Sequence, residues 1–338
     1  MNSIDAILPF LKESRRIIVT THPNPDADAL GSSLAMFHFL RGRGHDVTVV
    51  TPTDYPDFLK WMPGNDNVVI YDQCKEKCHQ WVAECDIIFC LDFSMLDRLK
   101  ELGEHVRNTS AKKAVIDHHL DPEDFADFEM LDTKASATAE LIFDFILKME
   151  GREEITTEIA NCIYAGILTD TGGFKHPSTT AKVHRIVADL IDMGAAANFV
   201  NREIYDTNSV NRLRFLGYAL LEKLVVRQDL KIAYFVISAK DFERFGLKTG
   251  DTEGLVNYAL SIKDIVMATV IIEREEEVRL SFRSVGNYAV NLFANDHFEG
   301  GGHKNASGGV SHEALEPTIS RFESLIDSFK DKYYIKQS

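Results

Sequence analysis

The sequence predicts an α/β protein of two domains: a doubly wound, mainly parallel sheet first, then a smaller α+β domain, with a cleft between them. Its 338 residues exceed the length that a single hydrophobic core usually serves. Short apolar runs alternate with helical patterns over residues 1–205, and a helical connector is expected at 206–222. From 223 to 338 the order of strands and helices changes, which indicates the second domain.

Five apolar runs are expected to form the sheet of the first domain. They are continuous rather than alternating, which is typical of strands buried on both faces of a parallel sheet. Helix-length segments separate them, so each strand pair has room for a crossover helix. An amphipathic helix is expected before the first run, within residues 1–16. The runs are RIIVT at 16–20, DVTVVT at 46–51, NVVIY at 67–71, DIIFCLD at 86–92 and KAVIDHH at 113–119.

The later part of the chain is expected to be helical first and mixed afterwards. Helical spacing of apolar residues predicts helices between Ser136 and about Leu221, among them SATAELIFDFILKME and EIANCIYAGILTD. Beyond them, helices are predicted at EGLVNYALS and YAVNLFAND. Four further stretches are predicted to be antiparallel strands: KLVVRQ, LKIAYFVIS, IVMATVIIER and EEVRLSFRS.

Composition and charge argue against several classes of protein. The formal net charge of -15 disfavours a grip on long nucleic acid duplexes, which depends on many Lys and Arg contacts with phosphates. No apolar stretch approaches the roughly 18 residues that a membrane-spanning helix needs. The first residues also lack the charge order of a secretory signal. We therefore expect a cytoplasmic protein that does not bind membranes.

The five cysteines are expected to be reduced thiols, because their number is odd and no secretion signal accompanies them. Cys74, Cys78 and His79 lie close together in the sequence, so a structural zinc site is an alternative. No second Cys or His pair follows at the distance that a zinc module needs. This favours free thiols.

Acidic and histidine residues follow four of the apolar elements at the point where each element ends. The carboxyl ends of parallel strands meet at one edge of a sheet, where ligands of α/β proteins bind, so these side chains are expected to converge. A single aspartate at such a position would be an ordinary turn or capping residue. The residues are His22, Asp26 and Asp28 after RIIVT, Asp92 after IIFCL, Asp117, His118 and His119 after KAVI, and Asp170 after YAGILT.

This set of side chains predicts a centre with two divalent metal ions. Packing several carboxylates together is unfavourable unless cations neutralise them. Carboxylate oxygens and imidazole nitrogens without a thiolate suit manganese or magnesium. The number of ligands exceeds the need of one ion. Two ions about 3.5–4 Å apart would activate a hydroxide for displacement at phosphorus.

A second group of candidate residues lies in the second domain, within SFRS (281–284) and EGGGHKNASGG (299–309). The glycines before His303 permit close approach of the backbone and would expose consecutive N–H groups to an anion. Arg283 carries a planar fork of donors that matches phosphate. A flexible turn and a surface ion pair are the alternatives. Beside a metal centre elsewhere in the chain, this group indicates a phosphate-binding element.

Five motifs together resemble those of the DHH phosphoesterase family, in particular its members with a DHH-associated C-terminal domain. The motifs occur in the family's order and cover nearly the whole chain. The resemblance implies a catalytic domain over 1–205 and a substrate-binding domain over 223–338. The motifs are HPNPDADALGS at 22–32, LDFS at 91–94, DHH at 117–119, TDTGGF at 169–174 and GGGHKNASGG at 300–309.

The resemblance implies a role for each candidate residue. Asp92 is expected to bridge the two metal ions. His119 is similar to the family's second histidine, which faces the phosphate and helps with proton transfer or charge stabilisation, and Asp117 would orient the histidines. A structural role for His119 is the alternative. The implied ligands are His22, Asp26 and Asp92 for one ion and Asp28, Asp92, His118 and Asp170 for the other; the implied substrate-binding residues are Arg283, Gly301, Gly302 and His303.

The two-domain layout resembles the nanoRNase class of this family. That class implies metal-dependent hydrolysis of short oligoribonucleotides, with 3′-phosphoadenosine 5′-phosphate as a second substrate, manganese or magnesium as cofactor, and a homodimer. Hydrolysis of linear or cyclic dinucleotides, or of polyphosphate or pyrophosphate, remains open. A non-enzymatic nucleotide sensor is a further alternative, but it would be expected to lack some metal ligands, and all are present.

Overall fold

The fold is that of a computed structural model, which describes residues 2–120, 122–248 and 250–336. The chain forms two compact units, Met1–Thr207 and Asn208–Ser338. Each unit is built around its own sheet. Among the described residues, no helix combines the length and the apolar character that crossing a membrane requires.

The first unit contains a seven-stranded sheet in which all neighbouring strands are parallel. Its strands are β1 (Asn2–Ser3), β2 (Arg16–Thr20), β3 (Asp46–Thr51), β4 (Val68–Ile70), β5 (Ile87–Leu91), β6 (Lys112–Asp117) and β7 (Phe128–Leu131). Their order across the sheet is β1-β7-β6-β5-β2-β3-β4. Each of the five predicted runs contains one of these strands, so the predicted parallel sheet is confirmed.

Helices cover both faces of this sheet, as a doubly wound fold requires. They are α1 (Ala27–Gly42), α2 (Lys75–Glu84), α3 (Glu101–Asn108), α4 (Thr138–Lys148), α5 (Thr157–Asp170), α6 (Ala181–Asp192) and α7 (Ala197–Tyr205). Val82 of α2 and Leu102 of α3 pack in one core with Ile88 of β5. Leu34 of α1 packs with Phe89 of the same strand in the other core. Alternate residues of β5 therefore face different helices.

Glycines allow α1 and α5 to pack closely. A Cβ atom at Gly31 would lie 2.5 Å from the carbonyl oxygen of Cys162, and one at Gly166 would lie 2.7 Å from Oδ1 of Asp28. Larger residues at either glycine would therefore push the helices apart. Asp28 meets Gly166, and the later Gly31 meets the earlier Cys162, so the two helices are antiparallel. The end of α5 at Asp170 accordingly lies near the beginning of α1.

The second unit contains a six-stranded mixed sheet in the order β12-β13-β11-β10-β9-β8. Its strands are β8 (Leu224–Arg227), β9 (Ile232–Ile237), β10 (Met267–Glu273), β11 (Val278–Ser284), β12 (Gly301–His303) and β13 (Ala306–Ser311). The prediction of antiparallel strands is wrong for β9 and β10, which are parallel. Two helices lie between these strands in the chain, and a connection of that length permits a parallel crossover.

The helices of the second unit cover both faces of its sheet. They are α8 (Val210–Tyr218), α9 (Ala239–Phe245), α10 (Leu255–Leu260), α11 (Val290–His297), α12 (Leu315–Ile326) and α13 (Phe329–Lys332), with a π-helical turn at Ala219–Lys223 after α8. Phe293 of α11 packs with Phe282 of β11. Leu255 of α10 belongs to the other core, with Phe235 of β9. The predicted α+β architecture is confirmed, including helices at EGLVNYALS and YAVNLFAND.

The predicted amphipathic helix at residues 1–16 is absent from the part of this segment that the structure describes. Strand β1 pairs with β7, and two short 3₁₀ helices follow at Ile4–Ile7 and Phe10–Lys12. Pro9 lies between them and has no N–H group to donate to a continuous α-helix. Ile4, Ile7 and Leu11 are still buried, whereas Phe10 is 40% exposed, so the pattern identified a packed segment but not its geometry.

Candidate functional site

Three adjacent strands of the first sheet bring the predicted acidic and histidine residues to one edge. Strands β6, β5 and β2 are neighbours and parallel, so their carboxyl ends lie side by side. This is the edge at which α/β sheets bind ligands. The strand ends lead to His22 after β2, to Asp92 after β5, and to Asp117, His118 and His119 at the end of β6.

Asp92 is the side chain that three histidines share. Its carboxylate oxygens lie 3.2 Å from Nε2 of His22, 3.6 Å from Nε2 of His118 and 3.6 Å from Nδ1 of His119. The hydroxyl of Thr138 donates a hydrogen bond to the same carboxylate at 2.9 Å. Asp92 adopts a left-handed backbone conformation with φ of 65°, which aspartate tolerates better than most residues. This conformation ends β5 and fixes where the carboxylate lies.

The first turn of α1 supplies two more carboxylates. Oδ1 of Asp26 accepts hydrogen bonds from the N–H groups of Asp28 and Ala29, both at 3.0 Å, and so caps the helix. Asp28 is fully buried and accepts hydrogen bonds from the N–H groups of Thr138 at 2.6 Å and Ala139 at 2.8 Å. These are the first residues of α4. The unpaired N–H groups and positive dipole end of a helix N-terminus stabilise a buried carboxylate.

Backbone carbonyls orient the rings of His22 and His118. Nδ1 of His22 lies 2.9 Å from the oxygen of Pro23, and Nδ1 of His118 lies 3.3 Å from the oxygen of Ala135. A carbonyl only accepts hydrogen bonds, so Nδ1 carries the proton in each ring. The other nitrogen, Nε2, faces carboxylates in both cases. Metal-binding histidines in proteins are oriented in the same way.

Asp170 reaches the cluster from a helix, not from the sheet. The apolar stretch YAGILT was grouped with the strand ends, but it forms the last turns of α5. Oδ2 of Asp170 lies 3.3 Å from Nε2 of His118. The close antiparallel packing of α1 and α5 accounts for this position. Asp170 thus joins the predicted cluster by a different element from the one expected.

His119 and Asp117 form a hydrogen-bonded pair beside Asp92. Nδ1 of His119 lies 2.7 Å from Oδ1 of Asp117, which is fully buried. The side chain of His119 is 18% exposed, against 6% for His118, so it is the more accessible of the two rings. Asp117 therefore fixes the orientation of a histidine that solvent can reach.

The pKa values of three carboxylates of the cluster, Asp28, Asp26 and Asp92, are perturbed. Burial, followed by the charges of Asp92 and Asp170, raises the pKa of Asp28 well above its ordinary value. Burial and the charges of Asp170 and Asp92 likewise raise the pKa of Asp26. Burial also acts to raise the pKa of Asp92, but the hydrogen bond from His22 and the charges of the histidines lower it below its ordinary value.

The histidines are perturbed in the opposite sense to simple burial. Burial acts to lower the pKa of His22, but its hydrogen bond and charge interaction with Asp92 raise it. Burial also acts to lower the pKa of His118, while Asp170 and Asp92 raise it. The neighbouring carboxylates therefore favour the protonated forms of these two rings. Divalent cations would supply the same positive charge in place of those protons.

Two overlapping sets of donor atoms fit divalent cations. All donors are carboxylate oxygens or imidazole nitrogens, which suit manganese and magnesium better than softer ions. Within each set the donor atoms lie within 4.8 Å of one another. Asp92 belongs to both sets, as a carboxylate that bridges two ions must, and Asp170 lies beside the second. The sets are His22, Asp26 and Asp92, and Asp28, Asp92 and His118.

Sequence reasoning missed Thr138 and Ala139, which hold two of the predicted ligands. The hydroxyl of Thr138 binds Asp92, and its N–H group and that of Ala139 bind Asp28. The segment SATAE carries no acidic or histidine pattern at these positions. The predicted start of a helix in this segment was a signal that could have found them, because the N–H groups at a helix N-terminus bind carboxylates.

In the second unit, Arg283 and His303 project from the same face of the sheet. Arg283 of β11 pairs with Ala306 of β13, and Ala306 pairs with His303 of β12. Residues directly opposite each other on antiparallel strands project to the same side. Neighbouring strands lie about 4.8 Å apart. The two large polar side chains therefore flank a small residue.

The predicted anion-binding turn at the glycines is wrong. A nest of N–H groups requires helical conformations, but Gly301 and Gly302 are part of strand β12. Gly301 pairs with Gly308, and Gly302 pairs with Ser307, whose hydroxyl binds the carbonyl of Gly301 at 2.7 Å. Gly301 and Gly308 are exposed and have no side chains. They continue the sheet surface beside Arg283 and His303 without side chains.

Two family models match the chain in the order that its motifs suggest. The model of the DHH family N-terminal domain matches residues 16–167, and the model of the DHHA1 domain matches residues 229–333. A crystal structure of an exopolyphosphatase-related protein from Bacteroides fragilis is 37% identical. It covers 97% of this chain, which covers 96% of it, with a TM-score of 0.92. The chain belongs to the DHH family.

Membership in the DHH family confirms the prediction of a phosphoesterase, a hydrolase that the resemblance implied. A curated relative from Bacillus subtilis, named bifunctional oligoribonuclease and PAP phosphatase NrnA, is 28% identical over 91% of this chain and 94% of that protein. The structure of RecJ in complex with Mn²⁺ from Thermus thermophilus shares the fold, with 13% identity and a TM-score of 0.55. RecJ covers 99% of this chain, which spans 55% of RecJ.

Proposed function

We propose that this DHH-family chain hydrolyses short oligoribonucleotides, and also 3′-phosphoadenosine 5′-phosphate, with two divalent cations. The observation that carries this proposal is the position of Asp92, whose carboxylate belongs to two donor sets at once. One ion would need only one such set. Two cations bound there would provide Lewis acidity toward the phosphate and lower the pKa of a bound water.

The residues around Asp92 would hold the reacting groups in place. His22 and His118 each use Nδ1 on a backbone carbonyl, so their Nε2 atoms stay directed at the carboxylates. Asp117 holds His119 through Nδ1. The accessible His119 would then face the phosphate and either donate a proton to the leaving oxygen or stabilise the developing negative charge.

The second unit would bind the end of the substrate that is not cleaved. Arg283 and His303 lie in one row with Ala306 between them, so two donors project beside a small residue, where they would bind a phosphate group. Gly301 and Gly308 continue this surface without side chains, which leaves space for a sugar or a base. Such a surface suits a nucleotide better than a bare inorganic phosphate chain.

The name of the Bacillus subtilis relative supports the proposed pair of substrates. Manganese is the proposed metal, with magnesium as a substitute, because both match the oxygen and nitrogen donors. We further propose that the enzyme acts in the cytoplasm as a homodimer and does not bind long duplexes, since the net charge of -15 disfavours them.

The proposed substrates are tested by a product time course. Dinucleotides, RNA of about 20 nucleotides, 3′-phosphoadenosine 5′-phosphate, cyclic dinucleotides and inorganic polyphosphate would each be supplied with manganese and with magnesium. We expect kcat/KM to be highest for the shortest RNA, with phosphate release from 3′-phosphoadenosine 5′-phosphate. Faster hydrolysis of polyphosphate would contradict the proposal. Polyphosphate is included because the similar protein from Bacteroides fragilis is named exopolyphosphatase-related.

The role of the second unit is tested by Arg283→Ala. A charge-assisted hydrogen bond contributes about 1.5–3 kcal/mol, so we expect KM to rise about 10-fold to 100-fold while bound metal stays unchanged. Arg279→Ala is the matched control, because Arg279 lies on the same strand and binds Glu277 at 2.6 Å. A loss of metal, or an equal effect of the two variants, would remove Arg283 from the substrate site.

A further inference from the structure

A second group of metal-binding side chains lies in the first unit, among residues that the proposed reaction does not use. It consists of His79, Glu101 and His105, whose donor atoms all lie within 4.8 Å of one another. The rings of His79 and His105 stack with centroids 3.6 Å apart and an angle of 20° between their planes. The three side chains are exposed or partly exposed, so an ion in solution can reach them.

Two helices hold this group in place. Glu101 and His105 lie four residues apart on α3, so they project from the same face of that helix. His79 projects from α2. Both helices are fixed to the sheet by buried side chains, including Val82 and Leu102. The group is therefore carried by packed elements rather than by a loop.

The cysteines near His79 do not complete such a site. Cys78 is fully buried in the core, and burial followed by the nearby Cys74 raises the pKa of its thiol to about 12. Among the residues that the structure describes, no cysteine belongs to a set of donor atoms close enough to share an ion. Cys74 and Cys78 are thus not gathered around His79 as the zinc alternative would require. The fold brings His79 to different partners.

We propose that His79, Glu101 and His105 bind one zinc ion, separate from the catalytic centre. Two imidazole nitrogens and one carboxylate oxygen form a three-ligand set that zinc accepts, with water in the fourth position. Two nitrogen ligands of a tetrahedral zinc ion lie about 3.3 Å apart, given Zn–N bonds of about 2.0–2.1 Å. The present spread of the donors, at most 4.8 Å, can contract to this value through side-chain rotation.

Two neighbouring side chains hold the site in its metal-free form. The hydroxyl of Tyr71 lies 2.7 Å from Nε2 of His79, which leaves Nδ1 for an ion and orients the ring as metal-binding histidines are oriented. Nζ of Lys75 lies 2.5 Å from Glu101 and neutralises it. The positive charge of Lys75 would oppose that of zinc at this carboxylate. Lys75 therefore weakens zinc binding, whereas Tyr71 supports it.

Zinc at this position would tie α2 to α3. Both helices lie on the same face of the sheet, and the ion would take ligands from each. An ion that binds only the folded state stabilises it in proportion to the logarithm of its free concentration. The site would thus stabilise the first unit without contributing a group to phosphate hydrolysis.

The test is equilibrium dialysis of the full chain against zinc, with manganese in excess at the catalytic centre. We expect His79→Ala and His105→Ala to bind one zinc equivalent fewer than the wild type, or to bind it at least about tenfold more weakly. Hydrolysis should be unchanged, which shows that the variants fold. His312→Ala is the matched control, because His312 is another exposed histidine beside a glutamate, at 3.2 Å.

A second variant separates this site from general binding by surface histidines. Lys75→Ala frees Glu101, and a surface ion pair contributes at most about 1 kcal/mol, so zinc should bind up to about fivefold more tightly. Zinc should also raise the melting temperature of the manganese-loaded wild type, and not that of His105→Ala. Equal zinc binding by the wild type, His79→Ala and His105→Ala would overturn the proposal. Equal loss in His312→Ala would do the same.

Discussion

At the scale of the residue, the proposed metal centre depends most on Asp92. This buried carboxylate lies within 3.6 Å of three histidine rings and receives a hydrogen bond from Thr138. Its left-handed backbone turns the chain at the end of β5. Of the two donor sets that the proposed ions would use, Asp92 alone belongs to both. A substitution here should therefore affect both ions.

Asp92→Ala is expected to abolish hydrolysis and metal binding together. Metal ions stabilise the transition state by several kcal/mol, so the loss of both should lower kcat/KM by about a thousandfold or more. Bound manganese and turnover of a dinucleotide would be measured in parallel. Asp97→Ala is the matched control, because Asp97 lies shortly after Asp92 in the chain and its side chain is 79% exposed. Near-normal turnover in Asp92→Ala would refute the bridging role.

Metal binding is expected to release protons and to weaken as the pH falls. The pKa of Asp28 is raised by burial, and those of His22 and His118 are raised by carboxylates against the effect of burial. These groups must lose their protons to bind a cation, so their raised pKa values make acid a competitor of the metal. Affinity should thus increase with pH through neutrality. Calorimetric titration in buffers of different ionisation enthalpy measures the protons released; a value of zero would contradict this expectation.

The residues that bear charge were predictable, and those that support them were not. Asp26, Asp92 and His118 are recognisable in the sequence because they follow predicted strands, and α/β sheets bind ligands beyond the carboxyl ends of their strands. Thr138 acts through a hydroxyl and an N–H group that almost any helix N-terminus offers. Nothing in the sequence pairs Thr138 with Asp92 before the fold is known, because the two residues are 46 positions apart.

At the scale of the element, the beginning of α4 makes a buried negative charge tolerable. Its first two N–H groups bind the two oxygens of Asp28, and the hydroxyl of Thr138 binds Asp92. These contacts exclude water from both carboxylates and fix their directions. Helix α4 thus supports the metal centre without contributing a ligand to it.

Thr138→Val is expected to weaken metal binding while preserving the fold. Valine keeps the volume and the N–H group but lacks the hydroxyl that holds Asp92. Loss of such a partner of a ligand typically reduces metal affinity about 10-fold to 100-fold. Thr138→Ser should restore affinity, because it retains the hydroxyl. Manganese dissociation constants decide the matter: equal values for the valine and serine variants would assign Thr138 a packing role only.

Gly166→Ala is expected to disturb the contact of α5 with α1. The added Cβ would lie 2.7 Å from Asp28 and 2.7 Å from Ala139, both of which are held in place. Overpacking of this kind destabilises a protein by about 1–3 kcal/mol. Gly217→Ala is the control, since the added Cβ would have no atom within 4 Å. Alanine is also more favourable than glycine within a helix. Chemical denaturation should show a loss of stability for the first variant and none for the second.

At the scale of the whole molecule, five strands of the first sheet were predictable from their apolar runs, whereas the short edge strand β1 and strand β7 were not. Runs such as IIFCL are apolar without alternation, and this occurs where helices cover both faces of a sheet. The second unit was harder, since the direction of β9 relative to β10 depends on how the two helices between them cross the sheet. Asp170 was placed correctly near the cluster, but only the packing of α5 against α1 explains how it arrives there.

The most direct test of the central claim is a crystal structure of the full chain grown with manganese and measured at the manganese absorption edge. Two anomalous peaks about 3.5–4 Å apart, with the carboxylate of Asp92 between them, are the predicted result. His22 and Asp26 should bind one ion, and Asp28 and His118 the other. A single peak, or two peaks that do not share Asp92, would contradict the account.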